Sequence, residues 1–480
     1  MLFNSLDFLI FFPIVVVLYF CIPHRFRWIL LLAASIYFYM NFIPVYILVL
    51  FLLVVIDYVM APLIEKSQGH RKKVYLITSI LSTCAVFFVF KYFNFFNQNV
   101  SNLAQFLHWN YSLRALALAL PIGLSFHTFQ SLGYVIEVYR GNQKAERHFG
   151  IYFLFVMFFP QLVAGPIERA KNLIHQFYQE HYFDYKRVTD GLKLMLWGFF
   201  KKVVIADKLS AIVGAVYNNP TQFTGTPLIL ATVFFAFQIY CDFSGYTDIA
   251  IGAAQVMGFK LMDNFKRPYF SKSLSEFWKR WHISLSSWFR DYLYIPLGGN
   301  RISVPRKCAN LFIVFLVGGL WHGANWTFVI WGALHGFYLI FETIAMPLKN
   351  RILEITRLVN FPRLIQLTGI SFTFILVNIG WIFFRAKNVS DAFYILTHLF
   401  TNISFNIPRL NMGIGWSGFI YCSAIIGFME FIHLIQEHRS IRQFLDTKSI
   451  WFRWTIYIIL IYAILFFGVF NKTQFIYFQF

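Results

Sequence analysis

Apolar runs of about 20 residues, the length an α-helix needs to cross a hydrocarbon core of about 30 Å, recur along this 480-residue chain from Asp7 almost to the C-terminus. That recurrence excludes an ordinary soluble domain. Composition agrees, since 58% of the residues are hydrophobic and only 13% are charged, about half the roughly 25% typical of soluble domains. The expected fold class is an all-α polytopic membrane protein with about 10 to 12 transmembrane helices plus re-entrant and interfacial helices.

The connections give the run of the chain. The first span, residues 8–22, is followed by "HRFR", and residues 28–64, interrupted near Asn41 and Pro44, fit two crossings that lead to "EKSQGHRKK". Both basic connections then share a face, which the positive-inside rule makes cytoplasmic, so the N-terminus is expected outside. Residues 74–92 return outward and 115–138 come back to "YRGNQKAERH". Beyond them the regularity fades. Residues 150–165 are apolar but short, and 168–202 mix charges with aromatics as an interfacial helix leading into another segment would. Residues 228–257 are long enough to span yet hold Asp242 and Asp248, and 310–342, 370–384, 415–435 and 454–469 are further spans. The basic stretch "SIRQFLDTKSIWFRW" before the last one puts the C-terminus outside.

The start lacks the basic n-region and small-residue cleavage site of a secretory signal, and is expected to be a retained first span. No internal repeat, low-complexity tract or long linker interrupts residues 1–480, which are expected to form one membrane domain with its chemistry concentrated in 240–342. The net charge of +20 is scattered over short connections rather than gathered on one basic domain, so topology explains it better than nucleic acid does. The five cysteines lie far apart with no metal-ligand spacing and are expected to be packing residues.

Two stretches resist a lipid-facing reading. In "SKSLSEFWKRWHISLSSWFRDYLYIPLGGNR" (271–301), Glu276, Lys279, Arg280, Arg290 and Asp291 would each cost roughly 2.5 to 3.5 kcal/mol near the bilayer centre. Ser273 and Glu276 have capping-box spacing, and Phe277, Trp281, Leu285, Trp288 and Tyr292 repeat at helical steps. One amphipathic helix is therefore expected, ending before "IPLGGN", with His282 beside its apolar stripe and open to a bland reading as a headgroup-level histidine.

The second stretch, "FLVGGLWHGANWTFVIWGALHG" (315–336), places His322 among glycines. Gly318, Gly319 and Gly323 suit close helix contact and would permit a break around "HGAN" where a cavity is wet. An embedded imidazole can bind a metal, relay protons or act as a general base. No HxxxH or HExxH spacing supports a metal site, and Asp242, Asp248 and Glu342 are too few for a relay across the membrane. A general base is the simplest use. For His335 a structural, hydrogen-bonded role is expected.

These residues resemble a known family. "YCDFSGYTDIAIG" (240–252), "MGFKLMDNFKRPYFSKSLSEFWKRWHISLSSWFRDYLYIPLGGNR" (257–301) and "GGLWHGANWTFVIWGALHG" (318–336) together resemble the membrane-bound O-acyltransferase family, and within it the bacterial alginate O-acetyltransferase branch. The similarity extends to "LPIGLSFHTFQSLGYVIEVYRG" (120–141), "FFPQLVAGPIER" (158–169) and "GFFKKVVIADKL" (198–209), and so to nearly the whole chain.

The resemblance implies a ring of tilted and re-entrant helices around a thinned centre with a tunnel. It implies an enzyme of the bacterial inner membrane that takes an acetyl group from cytoplasmic acetyl-CoA, with no permanently bound cofactor, and passes it across for O-acetylation of an extracytoplasmic polysaccharide. It implies a periplasmic or extracellular partner of the SGNH-esterase type. The family's two hallmark histidines fall on His322, as catalytic residue, and His282, with Asn325, Tyr240, Asp242 and Arg290 as supporting groups by motif membership. Peptidoglycan O-acetylation shares these motifs, D-alanyl transfer to teichoic acid fits residues 257–301 less well, and a proton-coupled transporter would show paired broken helices that the chain lacks.

Overall fold

The computed structural model describes every residue except 164, 405, 407–411, 440, 471–474 and 477–480, and all but the side chain of 438. The C-terminus, expected on the extracytoplasmic side, thus lies outside the described residues. Among these residues all regular structure is helical. Two compact units form, one from Met1–Met195 with Thr247–Met262 and one from Leu196–Tyr246 with Asp263–Phe480.

Eight helices among the described residues are long and apolar enough to cross a membrane, with Leu6–Cys21 a shorter apolar one. The chain is a multi-pass membrane protein. The count falls below the 10 to 12 crossings expected for physical reasons. Residues 28–64 do split where expected, Pro44 opening a new turn after Asn41–Ile43, but of the two helices only Pro44–Lys66 has full spanning length, His24–Met40 being 17 residues long. The span expected at 115–138 becomes helical only at Leu124. Residues 150–163 make the short buried helix Phe149–Met157 and a four-residue turn, so they are core of the first unit rather than a crossing.

Local capping and buried polar contacts both help hold the first unit. Ser5 caps Leu6–Cys21 by accepting from the Phe8 N–H, and the N-terminal amine donates to Phe38 O at 2.7 Å among the rings of Phe3, Phe8 and Phe38. Within Pro44–Lys66, fully buried Asp57 accepts from Ser79 Oγ at 2.6 Å, which satisfies part of a group that apolar surroundings penalise.

In the second unit burial separates helices by role. The Pro362–Arg385 helix has 44% of its apolar window buried in protein, whereas Ile450–Phe467 has none, so the first packs centrally and the second faces lipid. Lys201 and Lys202, at the end of the stretch expected to be interfacial, are fully buried. They can be buried because Lys202 Nζ pairs with Asp242 at 2.6 Å and Asp207 at 2.8 Å, while Lys201 Nζ donates to Ser244 Oγ. Of the cysteines, Cys241 and Cys422 are buried, but Cys21 and Cys84 are exposed rather than packing residues.

Candidate active site

The site is built around two breaks in helical structure. The expected single helix over 271–301 is Leu274–Arg280, a break at Trp281 and His282, then Ile283–Phe289 and a wide turn over Arg290–Tyr294. Its start and end are where the sequence puts them: Glu276 N–H donates to Ser273 Oγ at 3.1 Å, and the helical run stops before "IPLGGN". The break is the correction. His282 takes the left-handed conformation, φ 43° and ψ 53°. Periodicity cannot reveal it, because Phe277, Leu285 and Trp288 are buried on both sides of it. What holds it is Asn264, whose backbone oxygen accepts from Ile283 N–H at 2.9 Å and whose Oδ1 accepts from the Ser284 hydroxyl at 2.9 Å.

The second break is the one expected around "HGAN". The helix Val304–His322 ends at His322, and Trp326–Ile355 begins after Asn325. These two helices touch at Gly319 and Gly332. A Cβ at Gly319 would lie 2.3 Å from Phe328 O, and one at Gly332 would lie 2.4 Å from Phe315 O, so only glycine permits the approach. Gly318, by contrast, has room for a Cβ.

A cleft of about 580 Å³ runs through this region, and His322 is on its wall together with Trp278, Trp331, Lys279, Arg290 and Lys307. The His322 ring is edge-on to Trp331 at 5.0 Å and to Phe384 at 5.2 Å, and packs on Trp321 at 4.7 Å. Its imidazole is therefore oriented by aromatic faces from three helical segments. Glu342 also reaches the cleft, and its carboxylate accepts from the Leu274 N–H at 2.9 Å, capping the Leu274–Arg280 helix from a distant part of the chain.

The structure separates the other expected residues. Of these, Arg290 shares the cleft with His322 and also pairs with Asp291 at 2.8 Å. His282 is not on the cleft wall. It is 1% exposed, its Nδ1 is 3.1 Å from Asn264 Oδ1, and burial pushes its pKa down to about 3, so the ring is neutral at ordinary pH. The Trp321 indole lies between the two histidines, 6.3 Å from His282. Tyr240 is buried with its hydroxyl 3.3 Å from His433 Nε2. Asp242 is bound into the Lys202 pair and also accepts from Ile476 N–H at 2.7 Å. Asn325 caps the Trp326–Ile355 helix by accepting from the Thr327 N–H at 3.1 Å, and donates to Lys387 O at 3.0 Å.

Sequence reasoning did not single out Trp278, Trp331, Lys279 or Lys307 as a shared lining. The two tryptophans stood inside the quoted motifs, and that was the available signal. Lys307 gave none. His335 is buried, but neither ring nitrogen has a hydrogen-bond partner among the described residues, which do not supply the hydrogen-bonded role expected for it.

A sequence profile of the membrane-bound O-acyltransferase family matches residues 148–385, which include both breaks and most of the cleft wall. The chain is 40% identical over 464 residues to a Pseudomonas aeruginosa protein named "Probable alginate O-acetylase AlgI", covering 94% of this chain and 84% of the relative. It is 36% identical over 393 residues to the peptidoglycan O-acetyltransferase of Helicobacter pylori, covering 76% and 72%. A teichoic acid D-alanyltransferase of Bacillus subtilis is 29% identical over 229 residues, covering 45% and 56%. With such identity over most of its length, this chain belongs to the membrane-bound O-acyltransferase family and is an acyltransferase.

Proposed function

We propose that this enzyme moves an acetyl group from cytoplasmic acetyl-CoA across the membrane for O-acetylation of an extracytoplasmic polysaccharide of the alginate type, with His322 as the reacting imidazole. The observation that carries the reading is the cleft, which joins His322 to a lining with three cationic side chains, Lys279, Arg290 and Lys307. Those cations suit the phosphates of a CoA thioester, and the imidazole suits the step that follows. His322 accepts the proton of an attacking hydroxyl, the oxygen bonds to the thioester carbonyl carbon, and the carbon–sulfur bond breaks. The proton passes to the departing thiolate, leaving an O-acetyl ester and the free thiol.

That hydroxyl belongs either to the glycan or to a periplasmic or extracellular partner of the SGNH-esterase type that carries the acetyl group onward. The enzyme sits in the bacterial inner membrane with "HRFR" and "EKSQGHRKK" on the cytoplasmic side and both termini outside. Peptidoglycan is the second acceptor to consider, because a peptidoglycan O-acetyltransferase is 36% identical to this chain.

The test compares the acetyl content of purified surface glycans from wild-type, deletion and His322→Ala cells at matched membrane levels of the protein. Loss of acetyl groups from an alginate-type glycan in both mutants is expected. Normal acetylation in His322→Ala cells would overturn the catalytic assignment, and loss confined to peptidoglycan would move the acceptor.

A further inference from the structure

The wall behind His322 is packed with aromatic rings. Trp278 and Trp331 both line the cleft, yet among the described residues the indole N–H of neither has a hydrogen-bond partner. The two indoles meet edge-on at 5.7 Å, and His335, which does not line the cleft, packs against both. Its ring centroid is 4.9 Å from that of Trp331 and 5.0 Å from that of Trp278, at interplanar angles of 62° and 84°. Phe315 and Tyr338 close the cage at 6.3 and 5.8 Å. Trp331 thus has an imidazole edge-on at each side, His335 at 4.9 Å and His322 at 5.0 Å.

The Pro362–Arg385 helix supplies the back of the cage. A Cβ at Gly380 would lie 2.8 Å from His335 Nε2 and 3.5 Å from Trp331 Cδ1, so the absence of a side chain at 380 admits the imidazole and fixes how deeply it sits. Burying an imidazole without a hydrogen bond costs roughly 1 to 3 kcal/mol. A ring chosen only for packing would be phenylalanine, which avoids that cost. Imidazole differs by presenting a smaller ring with a polarised edge to the faces of two indoles, a contact that orients rather than merely fills.

We infer that His335 is a positioning residue for acyl transfer: seated against Gly380, it fixes the Trp278 and Trp331 indoles, and through Trp331 the orientation of His322. It does not touch substrate. The inference rests on the reading of His322 as the reacting imidazole. It accounts for a buried, unbonded histidine behind the cleft that the reaction itself does not use.

A double-mutant cycle on positions 335 and 380 tests it. Membranes with equal amounts of each variant are assayed with radiolabelled acetyl-CoA as donor probe. Independently of the donor, cells are pulsed with labelled acetate and the glycan label is counted. His335→Ala should lower turnover between about ten- and a hundredfold, the scale of a misplaced reacting group, while KM for acetyl-CoA stays within about twofold. Gly380→Ala, whose new methyl meets Nε2, should also lower turnover, but should add little on a His335→Ala background, because the ring it displaces is gone. His335→Phe, which keeps an aromatic ring but not the polarised edge, should recover only part of the loss, full recovery marking mere packing and overturning the inference, and His335→Gln should recover none.

Additive losses at 335 and 380 in either assay, or equal recovery by Gln and Phe, overturn the inference. So does a detergent melting temperature that falls in step with activity, which would mark a merely structural role. A His322→Ala control separates the two readings. If it retains activity, the assignment of His322 fails whatever the cycle shows, and if it is inactive while the cycle is additive, only the role of His335 fails.

Discussion

Two histidines stand at two helix breaks in this protein, and their surroundings differ in kind. At the first break His282 is enclosed, with the Asn264 carboxamide beside Nδ1 and the Phe243 ring 4.7 Å away, and it takes a left-handed backbone that few side chains adopt. At the second break His322 ends a helix on the wall of a cleft, with aromatic rings around it and cations further along the same wall. The first arrangement satisfies a bend; the second presents an imidazole to a space a substrate could enter. Motif membership treats the two residues alike, and only their non-local partners separate an imidazole on a cleft wall from one that holds a bend.

The largest effect should come from the cleft side. His322→Ala is expected to lower acetyl transfer by about a hundredfold or more, the usual contribution of a general base, with unchanged protein level by immunoblot. Retained transfer would erase the contrast between the two histidines. On the other side, Asn264→Leu removes the acceptor for the Ser284 hydroxyl and backbone N–H. It should cost about 1 to 3 kcal/mol for each buried group left unsatisfied, read as a lower melting temperature in detergent. If Asn264→Leu instead left stability intact, the bend at His282 would not depend on Asn264.

Backbone strain sharpens the same point. Asparagine tolerates left-handed geometry better than a β-branched residue does, so His282→Asn should melt above His282→Val by about 1 to 3 kcal/mol of stability. An equal loss in both would point to the ring rather than the backbone. The acid side gives a further effect, only part of which falls in the accessible pH range. Because burial holds the His282 pKa near 3 in the folded protein, against about 6.5 in an unfolded chain, the unfolded state binds more protons between those values. Its contribution to stability is present above pH ~6.5 and is lost as pH falls toward 3. His282→Asn should flatten that part of a melting-temperature profile, and an unchanged slope would count against the assignment. Smallest is Ser273→Ala, which removes the cap of the Leu274–Arg280 helix and should cost about 1 kcal/mol with little change in transfer.

Much of this was legible in the chain, and what was not has a common cause. Ser273, Glu276 and the helix stop before "IPLGGN" follow from neighbours within four residues, and the structure keeps them. The break after His322 was legible because its glycines and Asn325 are local signals. The break at His282 was not, because Asn264 lies in a different segment and leaves the apolar periodicity of 271–301 untouched. Asp242 looked like a supporting group by its motif, yet its bond to Lys202 comes from a residue that no local pattern ties to it.

The sequence by itself determined the class of this protein. A bilayer interior offers no water to backbone groups, so apolar runs of spanning length must close their hydrogen bonds within helices wherever they pack. Its motifs also determined the family, since they hold their order over nearly the whole chain. The tertiary structure decided which polar side chains meet. His322 faces the cleft, His282 faces Asn264, and His335 sits against Gly380 behind Trp331, because each orientation is fixed by contacts between segments distant in sequence. Side-chain direction at a helix break depends on those contacts, and helical periodicity carries no information about them.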